Sequence, residues 1–247
     1  ELESAWRLNF VLGGFLGIIV IMLRGYLIES QTFLNSKSRM SKEVNSGIGT
    51  LVVNNRLKFF LSMMVNGMLG GGYHFLIIFL GTFAANIAEV ISINQASSSN
   101  ITLIALYGMG CFISGYLADH INPLKQISFA LSLSIICVLI MEFMIGAGVF
   151  SFAFHRALAF VVPFYSVPCA IKIQSLFPTG IRMRMYSLSH SIGSMIFSST
   201  TPFVCMLIWR WTGMFSMVLG YFLLQLGLLF FVLIYTSRKE YSNFFET

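Results

Sequence analysis

The sequence predicts an all-α protein, a polytopic bundle of about seven transmembrane helices. Of its 247 residues, 57% are hydrophobic and only 10% are charged, and the mean hydropathy is +0.83. Soluble domains carry roughly a quarter charged residues, so this composition excludes a soluble globular protein. Apolar runs close to the ~20 residues that cross a ~30 Å hydrocarbon layer recur along the chain. Open strands cannot satisfy their backbone groups in lipid and no β-barrel alternation appears, so these runs are predicted to be helices.

Polar segments divide the chain into seven predicted spans. The spans cover about residues 8–27, 57–83, 101–117, 127–144, 150–171, 186–209 and 214–235. By domain, residues 1–28 contain the first span, 29–56 form a polar linker, 57–236 form a six-helix unit, and 237–247 form a charged tail. The turn after the third span is only about half a dozen residues long, so the third and fourth spans are expected to lie side by side.

The lysines and arginines predict how the chain threads through the membrane. Twelve of the 15 lie in alternate junctions: the linker with its flanks, the turn at 115–125, the segment at 172–184, and the tail. The other three are Arg7, Arg156 and Arg210. Because cytoplasmic loops carry the excess of these residues, the linker, the turn and the tail are predicted to be cytoplasmic, and Glu1 to lie outside. The expected location is a cell membrane, such as the bacterial inner membrane, which the chain crosses several times.

The start of the chain adds an expectation about its completeness. Residues 1–5 have no basic region and do not form a signal peptide. An odd number of spans that starts outside is physically awkward without such a signal. We therefore expect the chain to be entered in mid-sequence, with further helices before Glu1.

Composition and residue spacing argue against several functions. The net charge of +6 comes from lysines and arginines that cluster between the spans and set the topology, so we expect no nucleic-acid partner. The four cysteines lie in four separate spans without metal or redox spacing, which predicts small buried apolar residues. The sequence contains no metal cluster, phosphate loop or dinucleotide fingerprint, so we expect no metal and no cofactor. An intramembrane enzyme would need paired catalytic groups, and only Glu142 and His155 offer such a pair, so we expect no enzyme activity.

Polar residues inside the spans are candidates for a solute or proton pathway, because each of them costs free energy in hydrocarbon. The second span contains Asn66, Tyr73 and His74 among the glycines at 67, 70, 71 and 72. These glycines either weaken the helix and free backbone groups for a solute, or they form a seam for close packing. His74 could serve a proton step near neutral pH. The alternative is a histidine that packs with a hydrogen bond.

The sixth span is polar for its depth. Serines at 187, 191, 194 and 198 share one helical face, and such a stripe either packs or lines a wet cavity. We place Ser191 and Ser194 in the candidate solute path together with the polar residues of the second span. Prolines at 163, 168 and 202 are expected to kink their helices.

A third polar group flanks the short turn between the fourth and fifth spans. Glu142 lies near the outer end of the fourth span, and His155 and Arg156 open the fifth. A pair between Glu142 and either partner would offset the burial of both charges. The group is either a static ion pair at the membrane interface or a proton or gate site.

Several motifs resemble the major facilitator superfamily and, within it, the metabolite:proton symporters that include proline/betaine transporters. The stretch GYLADHINPLK at 115–125 resembles the Gly-x-Leu-Ala-Asp-Arg-x-Gly-Arg-Arg loop of the superfamily. Residues 6–14 resemble the start of that branch's sixth helix, and Arg24 with LIESQTF resembles the motif that closes it. The stretch LFPTGIRMRMYSLSHSIGSMIFSSTTP at 176–202 is similar to the Leu-Phe-Pro-Thr-Arg-x-Arg segment before helix eleven. Together the motifs cover essentially the whole chain.

The resemblance implies that the chain corresponds to helices six to twelve of a twelve-helix transporter that works by alternating access. It also implies a cytoplasmic gating loop in which Asp119 helps to latch the closed side; the loop residues are Gly115, Asp119, His120, Lys125 and Arg182. The sequence departs from the family's loop, because His120 replaces its first arginine and Pro123-Leu124 its arginine pair. These changes remove charge-assisted contacts that would stabilise one state.

The expected function is part of a proton-coupled secondary transporter for a small polar solute, either an osmolyte such as proline or betaine, or an organic acid. Its expected partners are that solute, protons, the lipid bilayer and a separate N-terminal half. Seven helices alone would present a polar cavity face to lipid, so we expect the chain to be inactive alone. The alternative is a receptor or scaffold that does not transport, since seven spans with an outside N-terminus match receptor topology. The turn at 115–125 has no place in that alternative.

Overall fold

The computed structural model describes residues 2–26, 47–87, 89, 91–146 and 151–238, and the regular structure in these ranges is helical. In chain order the helices are α1 (Leu2–Arg24), α2 (Ile48–Asn54), α3 (Arg56–Asn86), α4 (Ile93–His120), α5 (Pro123–Gly146), α6 (Phe152–Gln174), α7 (Arg182–Thr212) and α8 (Phe215–Arg238). Glu1, most of the predicted linker (27–46) and the tail from 239 lie outside the described residues.

The prediction of an all-α bundle of membrane-spanning length is confirmed. Within the described residues, α3 to α8 are each long and apolar enough to cross a membrane, and we call them the six-helix bundle. They lie in one compact unit, residues 46–247. Helix α1 has a shorter apolar stretch, Phe10–Arg24, and belongs to a separate unit of residues 1–45. Its side chains from Phe10 to Tyr26 are all exposed.

Two boundaries lie about eight residues from the predicted positions, because capping and local burial decide them. Helix α4 begins at Ile93 rather than near 101, since Ser92 and Gln95 form a capping box. The Ser92 amide donates to Gln95 Oε1 at 3.0 Å, and the Gln95 amide donates to Ser92 Oγ at 3.2 Å. The predicted linker up to residue 56 also ends earlier, since α2 begins at Ile48 and buries Leu51.

The helices of the bundle contact one another in a pattern that repeats after three helices. Helix α3 packs against α4, α7 and α8, and α6 correspondingly packs against α7, α4 and α5. The remaining contacts are α3 with α6, α5 with α8, α4 with α5, and α7 with α8. Exchanging the triplet α3–α5 for the triplet α6–α8 leaves this set of contacts unchanged. Because successive spans joined by short connections are antiparallel, the second triplet is inverted relative to the first.

Burial identifies the centre of the bundle. Of the apolar stretch in each helix, 67% is buried in α3 and 50% in α6, whereas only 17% is buried in α4 and 22% in α7. Helices α3 and α6 are therefore central, and α4 and α7 keep most of their surface exposed.

Two helices contain a π-helical segment, His74–Leu80 in α3 and Ser194–Ser198 in α7. In α7 the segment ends at Ser198, four residues before Pro202, which has no amide hydrogen and whose ring crowds the Ser198 carbonyl. Regular α-helix begins again at Thr201. In α3 the segment follows the glycines at 70, 71 and 72. Single π-helical turns inside long helices are frequently found at functional sites.

Candidate functional site

A polar cleft of about 330 Å³ lies between α3, α4, α6 and α7, and it is open on one side. Four helices contribute to its lining, which consists of Asn66, Leu69, Gly70, Tyr73, His74, Tyr107, Ser166, Val167, Ala170, Tyr186, His190, Ser194 and Ser198. Nine of these 13 residues carry hydroxyl, amide or imidazole groups, while apolar atoms make up most of the lining surface. Because such groups are costly against hydrocarbon, the cleft is suited to water or to a polar ligand.

His74 lies where the two π-helical segments meet. Its Nδ1 is 2.9 Å from the Gly70 carbonyl oxygen and 2.8 Å from Ser198 Oγ. A carbonyl oxygen can only accept, so both contacts are hydrogen bonds when Nδ1 carries the hydrogen and shares it between the two oxygens. In this tautomer Nε2 is the basic nitrogen of the ring and can accept a proton.

A second set of hydrogen bonds joins α3 to α7. Ser62 Oγ and Ser189 Oγ are 2.7 Å apart, and the Tyr186 hydroxyl donates to Asn66 Oδ1 at 3.3 Å. Asn66 Nδ2 in turn donates to the Ser62 carbonyl oxygen at 2.9 Å. Ser62, Asn66 and Ser189 are buried, and hydrogen bonds between helices at such positions fix how the helices pack. Asn66 therefore has a packing role in addition to its place in the cleft.

Glycines bring α3 and α7 into backbone contact. A Cβ atom at Gly67 would lie 2.7 Å from the Gly193 carbonyl oxygen, and one at Gly193 would collide with the Met63 carbonyl oxygen. A Cβ atom at Gly70 would collide with Ser198 Oγ. These contacts favour the packing role predicted for the glycines. At Gly70, close packing also places Ser198 against His74.

Aromatic pairs form two walls of the cleft. The rings of Tyr73 and Tyr107 are 5.3 Å apart in an edge-to-face arrangement, which joins α3 to α4. The rings of Tyr186 and His190 stack at 5.8 Å along α7. Aromatic side chains give a rigid apolar surface, and the tyrosine hydroxyl oxygens can accept a hydrogen bond from a ligand.

The structure brings together four of the five residues predicted for the solute path. Asn66, Tyr73, His74 and Ser194 line the cleft, whereas Ser191 is exposed and is not part of its lining. The prediction did not place Tyr107, Ser166, Tyr186, His190 or Ser198 in the path. Ser198 belongs to the predicted serine stripe, so its place in the path could have been predicted from the sequence. Tyr107 lies in a nearly all-apolar helix, where periodicity is too faint to indicate which face it occupies.

In the second predicted group, Glu142 is half-buried on α5, and His155 and Arg156 lie near the start of α6. His155 is buried against α3, with Nε2 2.9 Å from the Leu76 carbonyl oxygen in the π-helical segment. Arg156 is exposed, and its guanidinium carbon lies 5.8 Å from the centre of the Phe152 ring. His155 therefore joins α6 to α3.

The segment predicted as the gating loop forms a turn shorter than the half dozen residues expected, because only Ile121 and Asn122 separate α4 from α5. Gly115 has open space around it, and Asp119 and Lys125 are exposed. His120 Nδ1 lies 2.8 Å from the Tyr116 carbonyl oxygen. Arg182 Nε donates to the Phe177 carbonyl oxygen at 3.1 Å. Among the described side chains, Asp119 and Arg182 form no ion pair.

Comparison of the chain with protein-family models finds no match, and the same is true of comparisons with curated proteins and with solved structures. The family resemblance of the sequence motifs therefore stays a prediction. The chemistry of the cleft follows from its own residues.

Proposed function

We propose that this chain is part of a secondary active transporter, in which the six-helix bundle forms one half of an alternating-access carrier of the major facilitator type. The proposed solute is small and polar, either an osmolyte such as proline or betaine, or an organic acid. Its uptake is coupled to protons.

The polar cleft is the observation that carries this proposal. Its lining gathers polar side chains from four helices of the bundle. A volume of about 330 Å³ corresponds to roughly ten water molecules at ~30 Å³ each, which is enough for a small solute with part of its hydration shell.

The inverted relation of the two triplets supports alternating access. Carriers built from inverted repeats bind their solute where the repeats meet, near the middle of the membrane. The cleft lies where the two triplets meet, because α3 and α4 come from the first triplet and α6 and α7 from the second. Rocking of the bundle around such a site would expose it to each side in turn.

The exposure of α4 and α7 supports the proposal that the six-helix bundle is one half of a carrier. Both helices contribute to the cleft, yet most of their apolar surface is exposed. In lipid, the open side of the cleft would then face hydrocarbon, where polar groups are costly. We infer that a second group of helices covers this side and completes the solute path.

His74 is the proposed site of proton coupling. A proton that binds to Nε2 leaves the Nδ1 contacts with Gly70 and Ser198 in place and adds a positive charge to the cleft. That charge attracts a carboxylate, a group that proline, betaine and organic acids share. Proton and solute then bind cooperatively, as thermodynamic linkage requires of two ligands that favour the same state.

Solute binding by the purified full chain tests the cleft. We expect the melting temperature to rise with at least one member of a panel of proline, betaine and short organic acids. The rise should disappear in His74→Gln and Ser198→Ala and persist in Ser132→Ala, a matched change at an exposed serine of α5. The proposed function is wrong if no solute raises the melting temperature, or if both cleft variants respond like the wild type.

Uptake by intact cells tests the proposal of a half. Expressed alone in a host that lacks proline and betaine uptake, the chain should give no accumulation above the empty vector. Robust proton-dependent accumulation would show that the chain is a complete carrier.

A further inference from the structure

A second, apolar groove lies on the bundle away from the polar cleft. It has a volume of about 500 Å³ and runs between the end of α4, the first half of α5 and the middle of α6. Leu117, Phe129, Leu133 and Phe164 are among its apolar lining residues. The ring of Phe129 is 72% exposed, so the groove opens on the outer surface of the bundle, where the proposed membrane setting places lipid.

One end of the groove is polar. Lys125 lines it near the start of α5 and is exposed. Its neighbour Gln126 also lines the groove and is buried, with Nε2 donating to Ser114 Oγ at 2.9 Å. Gln126 Oε1 has no hydrogen-bond partner among the described residues. A cation and an unused acceptor at one end, with hydrocarbon along the rest, match the layout of an amphiphile.

The dimensions of the groove match one leaflet of a bilayer. Lys125 and Leu133 are eight residues apart on α5, which corresponds to ~12 Å along the helix axis. Half of a ~30 Å hydrocarbon layer is ~15 Å. Lys125 lies next to the α4–α5 turn, so it sits at the aqueous boundary of the leaflet on that side, which the distribution of cations predicts to be cytoplasmic.

We propose that this groove is a binding site for an anionic phospholipid of that leaflet. The headgroup phosphate lies against the Lys125 ammonium group, and an acyl chain extends along Phe129 and Leu133 toward Phe164. Charge complementarity at Lys125 favours an anionic headgroup over a zwitterionic one, because a cationic residue at the membrane surface contributes about 1 kcal/mol of attraction to anionic lipid, or about fivefold in affinity. The site does not depend on the transport proposed for the polar cleft.

Native mass spectrometry of the full chain in mixed micelles tests the site. The protein is titrated with phosphatidylglycerol or with phosphatidylcholine of identical acyl chains, and the first bound lipid is quantified. The wild type should bind phosphatidylglycerol about fivefold more tightly than phosphatidylcholine. Lys125→Gln should bring this ratio close to one, while Lys58→Gln, a matched change on another helix, should leave it unchanged.

A second pair of variants tests the groove itself. Leu133→Trp fills it and should weaken binding of both lipids severalfold, whereas Ser132→Trp introduces the same side chain at an exposed position of α5 and should not. The melting temperature of each variant shows whether it is folded, and the Lys125→Gln result stands even if Leu133→Trp is not. The proposal is overturned if the wild type has no headgroup preference, if Lys125→Gln keeps it, or if folded Leu133→Trp and Ser132→Trp bind lipid alike.

Discussion

At Gly193 of α7, the absence of a side chain allows this helix to pack directly against α3. The backbones of α3 and α7 touch there, and a Cβ atom would overlap the Met63 carbonyl oxygen. The same contact holds Ser62 against Ser189 and, further along the helices, His74 against Ser198. The hydrogen bonds of the site thus depend on the absence of a methyl group about one turn away along α7.

Gly193→Ala should therefore destabilise the protein by about 1–3 kcal/mol, the cost of overpacking a tight interface. Gly227→Ala provides the control, since Gly227 of α8 has open space around it. There the higher helix propensity of alanine makes the change neutral or stabilising by up to about 1 kcal/mol. Thermal denaturation of the purified protein measures both effects. Equal melting temperatures for the two variants would contradict the close approach of α3 and α7.

At the scale of helices, the interior of each span is easier to predict than its ends. Membrane-spanning length and apolar composition decide that residues 101–117 form a helix, and α4 does contain them. The start of α4 is instead decided by two side chains, Ser92 and Gln95. Their hydrogen bonds cap the helix, so that the polar residues before 101 are also helical. Burial against neighbours decides α2, and a sequence without periodicity cannot reveal it.

The residues of the candidate site also divide into those that the sequence could predict and those that it could not. His74 and Ser194 could be predicted, because a polar residue within an apolar run costs free energy and therefore attracts attention. Tyr107 and Ser166 could not, because their membership of the cleft depends on how α4 and α6 rotate about their axes. The π-helical segments also escape prediction, although Pro202 gives a reason for the one in α7.

A buried side chain of α6, His155, contacts the π-helical segment of α3. His155 Nε2 bonds to the Leu76 carbonyl oxygen. His155→Phe should lower the free energy of unfolding by about 1 kcal/mol, since a hydrogen bond between the two central helices is lost. His155→Gln keeps a donor and should recover part of the loss. Denaturation of the two variants side by side measures the difference, and identical stabilities would show that the bond contributes nothing.

At the scale of the whole molecule, the threading through the membrane remains a prediction from the positions of the lysines and arginines. It can be measured with cysteines at Ser97 and Asn122, which are exposed near opposite ends of α4. In a Cys111→Ser background, Ser97→Cys should react with an impermeant maleimide on intact cells. Asn122→Cys should react only after the cells are permeabilised. Labelling in the reverse order would invert the topology and remove the basis for a cytoplasmic gating turn.

The exchange symmetry of the contacts has a consequence for biogenesis. The largest interfaces of the bundle join α3 to α7 and α4 to α6, so each triplet docks mainly onto the other. As the ribosome delivers α3, α4 and α5 in turn, the principal partners of α3 and α4 have not yet been synthesised. Helices α3 and α4 therefore remain without these partners, in the bilayer or beside the insertion machinery, until α6 and α7 have been synthesised. A nascent chain that stops after α5 would expose its glycine-lined surfaces and become a substrate for membrane proteases.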